Sequence, residues 1–395
     1  MNTAPYIAIL SFSNIQRDGR VLRQIEYLSR HYTVSVIGYG QLPPTLSGQV
    51  PMYSFQPPTS HARRLRKAFW LPLAKFTTSR FYETWYWGEA EFQTAYDILC
   101  QLRPAAIHAN DWESLPVAVR AAQKTGALVV ADLHEYAPLM REDRPYWRLF
   151  YKPLIECYLR RTLSCVAASV TVSRAIANRY ASEYAIQPIV VMNAPKTSPS
   201  LTFKPTQSDV ISLVHHGNAS RDRQLERMIE TVACLDQRYH LHLMLVNRDA
   251  RYLATLQALA VQRAPGRVHF IPPVPPDEIV ARIARFDIGF YPIPNTTYNH
   301  LAALPNKFFD FVAAGLAVCI GPSLEMSRLI HEYGFGVVAP ALTPSVIAET
   351  LNNLTTDAID AMKLAAFQAA RRLNADVEMQ KLINLYQKLM VKRKT

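Results

Sequence analysis

The sequence predicts an α/β fold with two Rossmann-like domains facing each other across a cleft. Three observations predict it: short β-rich runs alternate with helical patterns, one Pro- and Ser/Thr-rich segment interrupts the alternation, and the alternation then resumes over a similar length. At 395 residues the chain also exceeds one ordinary core. We expect an N-terminal domain at 1–195, a linker at 196–209, a C-terminal domain at 210–375, and a terminal helix with a basic tail at 376–395 that could pack back on the first domain.

The strands of the first domain are predicted where apolar and β-branched residues cluster between polar turns. They are Tyr6–Phe12, Thr33–Gly38, Ala106–Ala109, Leu128–Ala131, Val166–Val172 and Ile189–Met192. Amphipathic patterns at Arg20–Ser29 and Leu115–Lys124 predict helices between them. This order indicates βαβ units around a parallel sheet.

A second series of strands follows the segment Asn193–Asp209, which contains three prolines. They are Ile211–His216, His242–Val246, Val268–Ile271, Ile288–Tyr291, Ala317–Ile320 and Val337–Ala339. Helices are predicted at Arg223–Asp236 and through Thr343–Lys392. Ligands of open parallel sheets lie beyond the carboxyl ends of the strands, so two such domains would place a cleft between these edges.

Composition limits the classes of protein that the chain can represent. Hydrophobic residues make up 49% and charged residues 19%, as in folded globular proteins. Lys and Arg number 43 against 31 Asp and Glu, and this net charge of +12 favours anionic partners. Nucleic acid is not expected among them, because the sequence has no RNP, KH or zinc-finger pattern. The five cysteines have neither CxxC nor zinc spacing, which favours buried thiols in a reducing compartment.

Two stretches mix basic and aromatic residues, namely His61–Trp87 and Arg141–Arg161. They are either helices with solvated basic faces or surfaces that contact anionic lipid headgroups. No apolar run approaches the roughly 20 residues that span a bilayer, and the first residues lack a secretory signal pattern. The sequence therefore predicts a cytoplasmic protein, with peripheral contact at the inner face of the membrane as an option.

Polar turns follow three strands of the first domain. The turn Ser11–Arg20 lacks a GxGxxG fingerprint and instead carries Asp18 and Arg20. Asn110–Ser114 contains Asp111, and Asp132–Tyr136 contains His134 and Glu135. A lone histidine is more often structural than functional. Three carboxylate-bearing turns at corresponding strand ends favour a site at this edge of the sheet.

Two segments of the second domain suit a nucleotide. Gly217, Asn218, Arg221 and Arg223 lie just before a predicted helix, where amide N–H groups, the helix dipole and arginines attract a diphosphate. In Leu304–Gly315, the side chains of Lys307 and Asp310 share one helix face. The lysine suits phosphates, whereas the aspartate suits ribose hydroxyls.

Seven segments in chain order resemble GT-B fold glycosyltransferases of the large family 4-like group. They are Asp18–Ser29 (DGRVLRQIEYLS), Ile107–Ala118 (IHANDWESLPVA), Ala131–Pro138 (ADLHEYAP), Val170–Ala177 (VTVSRAIA), Val190–Pro195 (VVMNAP), His215–Glu226, and Leu304–Val318 (LPNKFFDFVAAGLAV). The last is the most specific of them. The resemblance implies an acceptor-binding first domain and a second domain that binds a UDP-, GDP- or related nucleotide sugar.

The resemblance implies roles for individual residues of this sequence. His134 matches the family histidine near the donor sugar, Arg223 the phosphate-binding basic residue, and Asp310 the acid that contacts ribose, with Asn306 and Lys307 beside it. Two positions depart from the pattern. Asn218 stands where the family has an arginine, and Arg221 could supply the missing positive charge. Ala302 stands where the family has the first acid of a paired-acid motif whose second acid is Asp310. Asn299 or His300 could substitute for that acid.

The resemblance implies hexosyl transfer with retention of anomeric configuration to a glycan, lipid-linked or other envelope-type acceptor. In that reaction the leaving diphosphate helps to remove the acceptor proton. An inverting enzyme would need a carboxylate base, for which Asp18, Asp111 and Glu135 are candidates. Because no metal-ligand cluster or DxD motif is evident, we expect neither a metal nor another cofactor. The alternatives are a nucleotide-sugar 2-epimerase and a catalytically weak GT-B-like partner subunit.

Overall fold

The computed structural model describes residues 5–55, 80–196, 201–247 and 249–394, which divide into two units. The first comprises the chain up to Val191, the short segment Thr297–Asn299 and the C-terminal segment Met379–Thr395. The second comprises Met192–Thr296 and His300–Glu378. The first unit thus ends at Val191 rather than at residue 195.

A seven-stranded parallel sheet forms the centre of the first unit. Its strands are β1 Tyr6–Asn14, β2 Thr33–Tyr39, β3 Met52–Phe55, β4 Ala106–Asn110, β5 Leu128–Leu133, β6 Ala168–Thr171 and β7 Ile189–Val190. They lie in the order β3-β2-β1-β4-β5-β6-β7. Central strands such as β1 are buried because helices cover both faces of a parallel sheet. The edge strand β3 was not predicted, since its middle residues Tyr53 and Ser54 are exposed and the segment lacks an apolar run.

The helices of the first unit connect these strands. They are Gly19–Leu28, Pro44–Ser47, Arg80–Trp87, Ala90–Leu102, Asp111–Thr125, Lys152–Thr162 and Arg174–Tyr184, with a π-helical turn at Trp147–Tyr151. Two of these helices, Gly19–Leu28 and Arg174–Tyr184, start at a residue whose side chain caps the helix. For example, Ser173 accepts a hydrogen bond from the Ile176 amide at the start of Arg174–Tyr184.

The second unit has a six-stranded parallel sheet with the order β10-β9-β8-β11-β12-β13. Its strands are β8 Ile211–Asn218, β9 Tyr239–Val246, β10 Val268–Ile271, β11 Ile288–Tyr291, β12 Ala317–Ile320 and β13 Gly336–Val338. Leu213, Leu241 and Phe290 from three of these strands pack into one core with Ile229 and Ile347 from flanking helices.

The helices that follow β8 include three at the C-terminus, where the sequence predicted one helical stretch, and they belong to the second unit except for parts of Tyr298–Ala302 and Ala375–Lys394. They are Leu225–Cys234, Ala250–Arg263, Ile279–Ile283, Tyr298–Ala302, Asn306–Ala313, Glu325–Tyr333, Pro344–Asn352, Thr356–Ala370 and Ala375–Lys394. Pro344 and the Thr355 cap, which accepts from the Ala358 amide, explain two of the C-terminal starts. Within the described ranges, no helix is long and apolar enough to cross a membrane.

Both sheets reverse their strand order at one place, between β1 and β4 in the first and between β8 and β11 in the second. In doubly wound sheets, ligands bind beyond the carboxyl ends of the strands at such a reversal. The turns after β1 and β4 carry Asp18 and Asp111, whereas β8 ends in the Gly217 loop and β11 ends at Tyr291. Each unit therefore presents polar turns where its topology favours a ligand.

Candidate active site

His134 lies beyond the carboxyl end of β5 and contacts two neighbouring residues from β4 and the helix after it. Its Nε2 lies 3.0 Å from Asn110 Oδ1, and its Nδ1 lies 3.3 Å from Asp111 Oδ2. The His134 backbone amide also donates to Asp111 Oδ1 at 3.1 Å. The structure thus brings together His134 and Asp111, two of the residues predicted as catalytic.

The contact with Asn110 fixes the tautomer of the His134 ring. The Asn110 amide nitrogen donates to the Leu10 carbonyl, so Asn110 Oδ1 faces His134 and accepts a hydrogen bond from its Nε2–H. On the other side, Nδ1 faces the Asp111 carboxylate, so both groups are available at one polar edge.

Asp111 begins its helix with a left-handed φ of +60°, which is rare for a non-glycine residue. The hydrogen bond from the His134 amide holds the carboxylate in this orientation. The Asp111 side chain remains 42% exposed. Its partial burial raises the pKa of the carboxyl, although His134 opposes the shift. Backbone strain of this kind is concentrated at functional sites.

Glu135 follows His134 directly and is accessible to solvent. Partial burial and the nearby Asp111 carboxylate raise the pKa of Glu135 to about 7, while His134 and Arg141 act in the opposite direction. A carboxyl group with this pKa can exchange a proton near neutral pH. It stays a candidate acid or base of the first unit.

A buried ion pair lies beneath the His134 turn. The Arg20 guanidinium binds the Asp132 carboxylate at 2.7–3.1 Å and also donates to the Val191 carbonyl at 2.7 Å. Arg20 is 2% exposed and Asp132 is fully buried. Burial alone would raise the pKa of Asp132, but Arg20, His134 and His108 lower it below its usual range. Asp132 therefore stays ionised.

The structure assigns Asp18 and Arg20 supporting roles in place of the predicted acceptor contacts. Asp18 Oδ1 accepts from the amides of Arg20 and Val21 as a helix N-cap, and its Oδ2 accepts from the Ser13 hydroxyl at 2.7 Å. Arg20 is directed into the core by Asp132. Sequence position at a strand end predicted exposure, whereas hydrogen bonding directs Arg20 into the core and engages the half-buried Asp18 in a helix cap.

In the second unit, the Gly217 loop and Lys307 are in direct contact. Gly217 ends β8 with a φ of +127°, and a Cβ at this position would lie 2.6 Å from Lys307 Nζ. The backbone therefore favours a glycine here, and any larger residue would also displace the Lys307 ammonium. The chain then forms a short 3-10 turn, Arg221–Arg223, before the helix Leu225–Cys234.

Two cations converge on Tyr291 at the carboxyl end of β11. Arg223 Nη1 donates to the Tyr291 hydroxyl at 3.3 Å, and Lys307 Nζ lies 5.2 Å from the ring centroid. His215 stacks on the same ring with the two ring planes 11° apart. An aromatic residue thus holds the arginine and the lysine close together beside the Gly217 loop.

The protonation states around this cluster favour an anion. Burial, followed by repulsion from Arg223, lowers the pKa of Lys307 to about 7, although Asp310 and Asp222 oppose the shift. Burial and Lys307 also lower the pKa of His216 to about 3 and that of His215 below its usual range. Both histidines are therefore neutral at pH 7, and an incoming diphosphate would restore the full charge on Lys307.

The helix Asn306–Ala313 positions the other predicted donor residues. Asp310 is one turn beyond Lys307, and its Oδ2 lies 3.4 Å from His216 Nε2 with 15% of the side chain exposed. Asn306 is exposed at the start of the helix, and Asn218 is exposed at the end of β8. Ala302 is fully buried, so this position offers no atom to a donor sugar.

Two residues expected to compensate for the family departures are engaged elsewhere. Arg221 stacks on the Tyr252 ring at 4.7 Å and lies 3.8 Å from Asp249 Oδ2, away from Tyr291. Asn299 bonds both the amide and the carbonyl of Tyr136 within the first unit, at 2.8 and 3.1 Å. The arginine therefore does not replace the charge missing at Asn218, and the Asn299 amide supports the turn after β5.

Residues 20–193 match the family model described as "Glycosyl transferase 4-like domain". No curated protein sequence matches the chain at a significant level.

Solved structures extend the fold similarity over the whole chain. A glycosyltransferase from Rickettsia africae is 11% identical with a TM-score of 0.71 and 99% of each chain covered. Sucrose-phosphate synthase from Thermosynechococcus elongatus is 13% identical with a TM-score of 0.72, covering 98% of this chain and 100% of that one. HepE of Anabaena in complex with UDP-glucose is 14% identical with a TM-score of 0.66, at 97% and 100% coverage. The chain has the GT-B fold.

Sequence reasoning missed several residues of the candidate site. An acid within an apolar strand, such as Asp132, could have been recognised, because a buried charge requires a partner nearby. Asn110 could likewise have been recognised as a polar residue at the end of a strand that needs a hydrogen-bond partner. Tyr291 resembled an ordinary core aromatic, and only its contact with Arg223 reveals its role.

Proposed function

We propose that the protein transfers a sugar from a nucleotide-sugar donor to an acceptor hydroxyl. The observation that carries the proposal is the cationic cluster of Gly217, Arg223, Tyr291 and Lys307 at the carboxyl edge of the second sheet. Its positive φ glycine, arginine and adaptable lysine suit a diphosphate. Asp310, one turn along the helix from Lys307, suits the ribose hydroxyls.

In the proposed reaction the bond between the anomeric carbon and the diphosphate oxygen breaks, and the acceptor oxygen forms the new bond. Negative charge develops on the leaving diphosphate, where Arg223 and Lys307 stabilise it electrostatically. With retention, a diphosphate oxygen takes the acceptor proton. With inversion, a carboxylate takes it, and Glu135 is the best candidate because its pKa is about 7.

His134 and Asp111 provide the polar groups of the first unit in this proposal. His134 Nδ1 and Asp111 Oδ2, which lie 3.3 Å apart, can contact a hydroxyl of the donor sugar or acceptor. Asn110 holds the opposite ring nitrogen and keeps the ring in place. Because the ring is held from both sides, little reorganisation is needed when substrate binds.

UDP-sugars are the proposed donor class, since a relative of the same fold was solved with UDP-glucose. No group of three or more His, Cys, Asp or Glu among the described residues could hold a metal ion. We propose that Arg223 and Lys307 supply the positive charge that the leaving diphosphate requires.

Calorimetric binding of UDP, GDP, ADP and UMP, followed by product analysis with UDP-sugars and an acceptor library, tests the proposal. Nucleoside diphosphate binding with acceptor-dependent sugar transfer is the expected result. Conversion of the nucleotide sugar to its epimer without acceptor would indicate a 2-epimerase instead. Tight nucleotide binding without transfer or hydrolysis would indicate a weak GT-B-like partner subunit, a reading that the buried Ala302 favours.

A lipid-linked acceptor is the second part of the proposal, and the surface around the π-helical turn supports it. Tyr146 and Leu149 are exposed hydrophobic residues, at 44% and 46%, and Arg144 and Arg148 are exposed beside them. Such a surface suits an anionic headgroup region. Residues 61–79 of the other basic-aromatic stretch lie outside the described residues, and Tyr82, Trp85 and Tyr86 of that stretch are buried in the first unit.

Liposome flotation tests this surface. Arg144→Ser with Arg148→Ser should weaken binding to vesicles containing phosphatidylserine, and added salt should weaken binding of the unchanged protein. Arg251→Ser with Arg263→Ser removes the same charge from an exposed helix of the second unit and is the matched control. Absence of binding to anionic vesicles at low salt would leave a soluble acceptor as the better hypothesis.

A further inference from the structure

Three buried residues connect the C-terminal helix Ala375–Lys394 to the His134 turn. Tyr386 on that helix, His108 in the middle of β4 and Asp132 near the end of β5 are each 0% exposed. The Tyr386 hydroxyl lies 2.8 Å from His108 Nδ1, and His108 Nε2 lies 3.4 Å from Asp132 Oδ2. Asp132 Oδ1 in turn lies 3.8 Å from His134 Nε2.

The direction of each hydrogen bond follows from the charge on Asp132. Because the carboxylate stays ionised beside Arg20, His108 must present a protonated Nε2 to it. In the tautomer with hydrogen on Nε2, Nδ1 has a lone pair, which accepts a hydrogen bond from the Tyr386 hydroxyl. Burial, followed by repulsion from Asp132, raises the pKa of Tyr386 well above its ordinary value, so its hydroxyl remains a donor.

Asp132 therefore sets the tautomer of His108, and the Tyr386 hydroxyl satisfies the Nδ1 lone pair of that tautomer. Without this donor, the Nδ1 lone pair would lie unpaired in a buried site, which is unfavourable. The alternative tautomer would direct a bare Nε2 lone pair at the Asp132 carboxylate. Either change weakens the contact of His108 Nε2 with Asp132 Oδ2, an oxygen that also accepts from Arg20 and Gln24. Asp132 Oδ1 is the atom that lies near His134 Nε2.

We infer that Tyr386 is a positioning residue for the His134 turn and acts through His108 and Asp132. The inference rests on the proposed function, since it assigns His134 to sugar transfer. It gives the C-terminal helix a part in the chemistry of the first unit that goes beyond packing. Tyr386 itself touches neither His134 nor the cationic cluster of the second unit. We therefore expect its removal to affect turnover and not the affinity for the donor.

Tyr386→Phe tests this role because it removes only the hydroxyl. We expect kcat to fall on the order of tenfold while the donor KM stays unchanged. Tyr239→Phe is the matched control, since Tyr239 is equally buried and its hydroxyl donates to the Leu351 carbonyl within the second unit. Both variants are compared below their melting temperatures, and only Tyr386→Phe should lose turnover.

His108→Gln and His108→Leu provide the rescue test. The glutamine amide can accept from Tyr386 and donate to Asp132, so this variant should keep most turnover, whereas His108→Leu should lose it. Histidine-selective ¹⁵N NMR of the full chain supplies a readout independent of activity. It should show the Nε2–H tautomer for His108, and the His108 and His134 signals should shift in Tyr386→Phe but not in Tyr239→Phe.

The two levels of hypothesis fail in different ways. Wild-type kcat in Tyr386→Phe, or an Nδ1–H tautomer for His108, would overturn the positioning role while leaving sugar transfer intact. An equal loss of turnover in Tyr239→Phe would show that the effect is general destabilisation and would also overturn it. Absence of transfer by the unchanged protein, with the expected His108 tautomer, would overturn the proposed function alone.

Discussion

The Lys307 ammonium lies so close to Gly217 that a methyl group on the glycine would come within 2.6 Å of Nζ. Lys307 belongs to the helix Asn306–Ala313 and Gly217 to the end of β8, so the contact joins two segments far apart in sequence. Arg223 is bound to Tyr291 beside them. A single carbon atom added at Gly217 would therefore displace Lys307 within the cationic cluster.

Gly217→Ala should weaken UDP binding by about tenfold or more, because Lys307 must move and a charge-assisted contact is worth about 1.5–3 kcal/mol. Gly334→Ala is the control, since Gly334 also has a positive φ but has no atom within 4 Å of its Cβ position. Both substitutions add backbone strain of about 1–3 kcal/mol. Calorimetry should show lost affinity only for Gly217→Ala, and equal losses would contradict the contact.

UDP affinity should fall as the pH rises from about 6 to about 8. The pKa of Lys307 is about 7 in the free protein, so its ammonium is increasingly neutral across this range. A bound diphosphate favours the charged form, and binding at pH 7 should therefore take up protons. Calorimetry in buffers of different ionisation enthalpy measures this uptake. Lys307→Gln should abolish the protein's share, and uptake unchanged by the substitution would assign it to the nucleotide.

Arg223→Ala should weaken UDP binding more than UMP binding, because Arg223 lies where the second phosphate is expected. Arg221→Ala is the matched control, as Arg221 is 65% exposed and engaged with Tyr252 and Asp249. It should change either affinity by less than about threefold, as surface ion pairs contribute little. Equal losses of UDP and UMP affinity in Arg223→Ala would show that this residue does not recognise the second phosphate.

Asp310→Asn should reduce the affinity for UDP by about tenfold, because two ribose hydroxyls would lose a charged acceptor worth about 1.5–3 kcal/mol. The substitution keeps the shape of the side chain beside His216. Calorimetry with UDP and with 2′-deoxy-UDP makes the test specific. The substitution should reduce the difference between the two nucleotides, whereas an undiminished difference would assign ribose recognition elsewhere.

His134→Ala should abolish most sugar transfer while leaving UDP affinity nearly unchanged. His134 belongs to the first unit, whereas the cationic cluster belongs to the second. The exposed His31→Ala in the same unit is the control for loss of an imidazole. Turnover at the wild-type rate would remove His134 from the proposed mechanism, and parallel loss of UDP affinity would contradict its separation from the nucleotide.

Much of this arrangement could be predicted from the order of residues along the chain. Carboxyl ends of parallel strands meet at one edge, so the turns carrying Asp111, His134 and Glu135 were expected together once their strands were recognised. Gly217, Lys307 and Asp310 were likewise predicted from turn position and helical spacing. These features depend on local periodicity and on general rules of sheet topology.

Other features depend on which side chains meet across the fold, and local pattern carries no information about them. Asp18 and Arg20 were predicted at an exposed edge, but Asp132 directs Arg20 inward, and Ser13 donates to Asp18 within a helix cap. Tyr386 reaches His108 across 278 residues of sequence.

The sequence by itself determined the two α/β sheets and the turns that carry the chemistry, because these follow from local periodicity. Only the tertiary structure decided which charges in those turns remain available, because a buried charge is stabilised by whichever partner the packing brings to it.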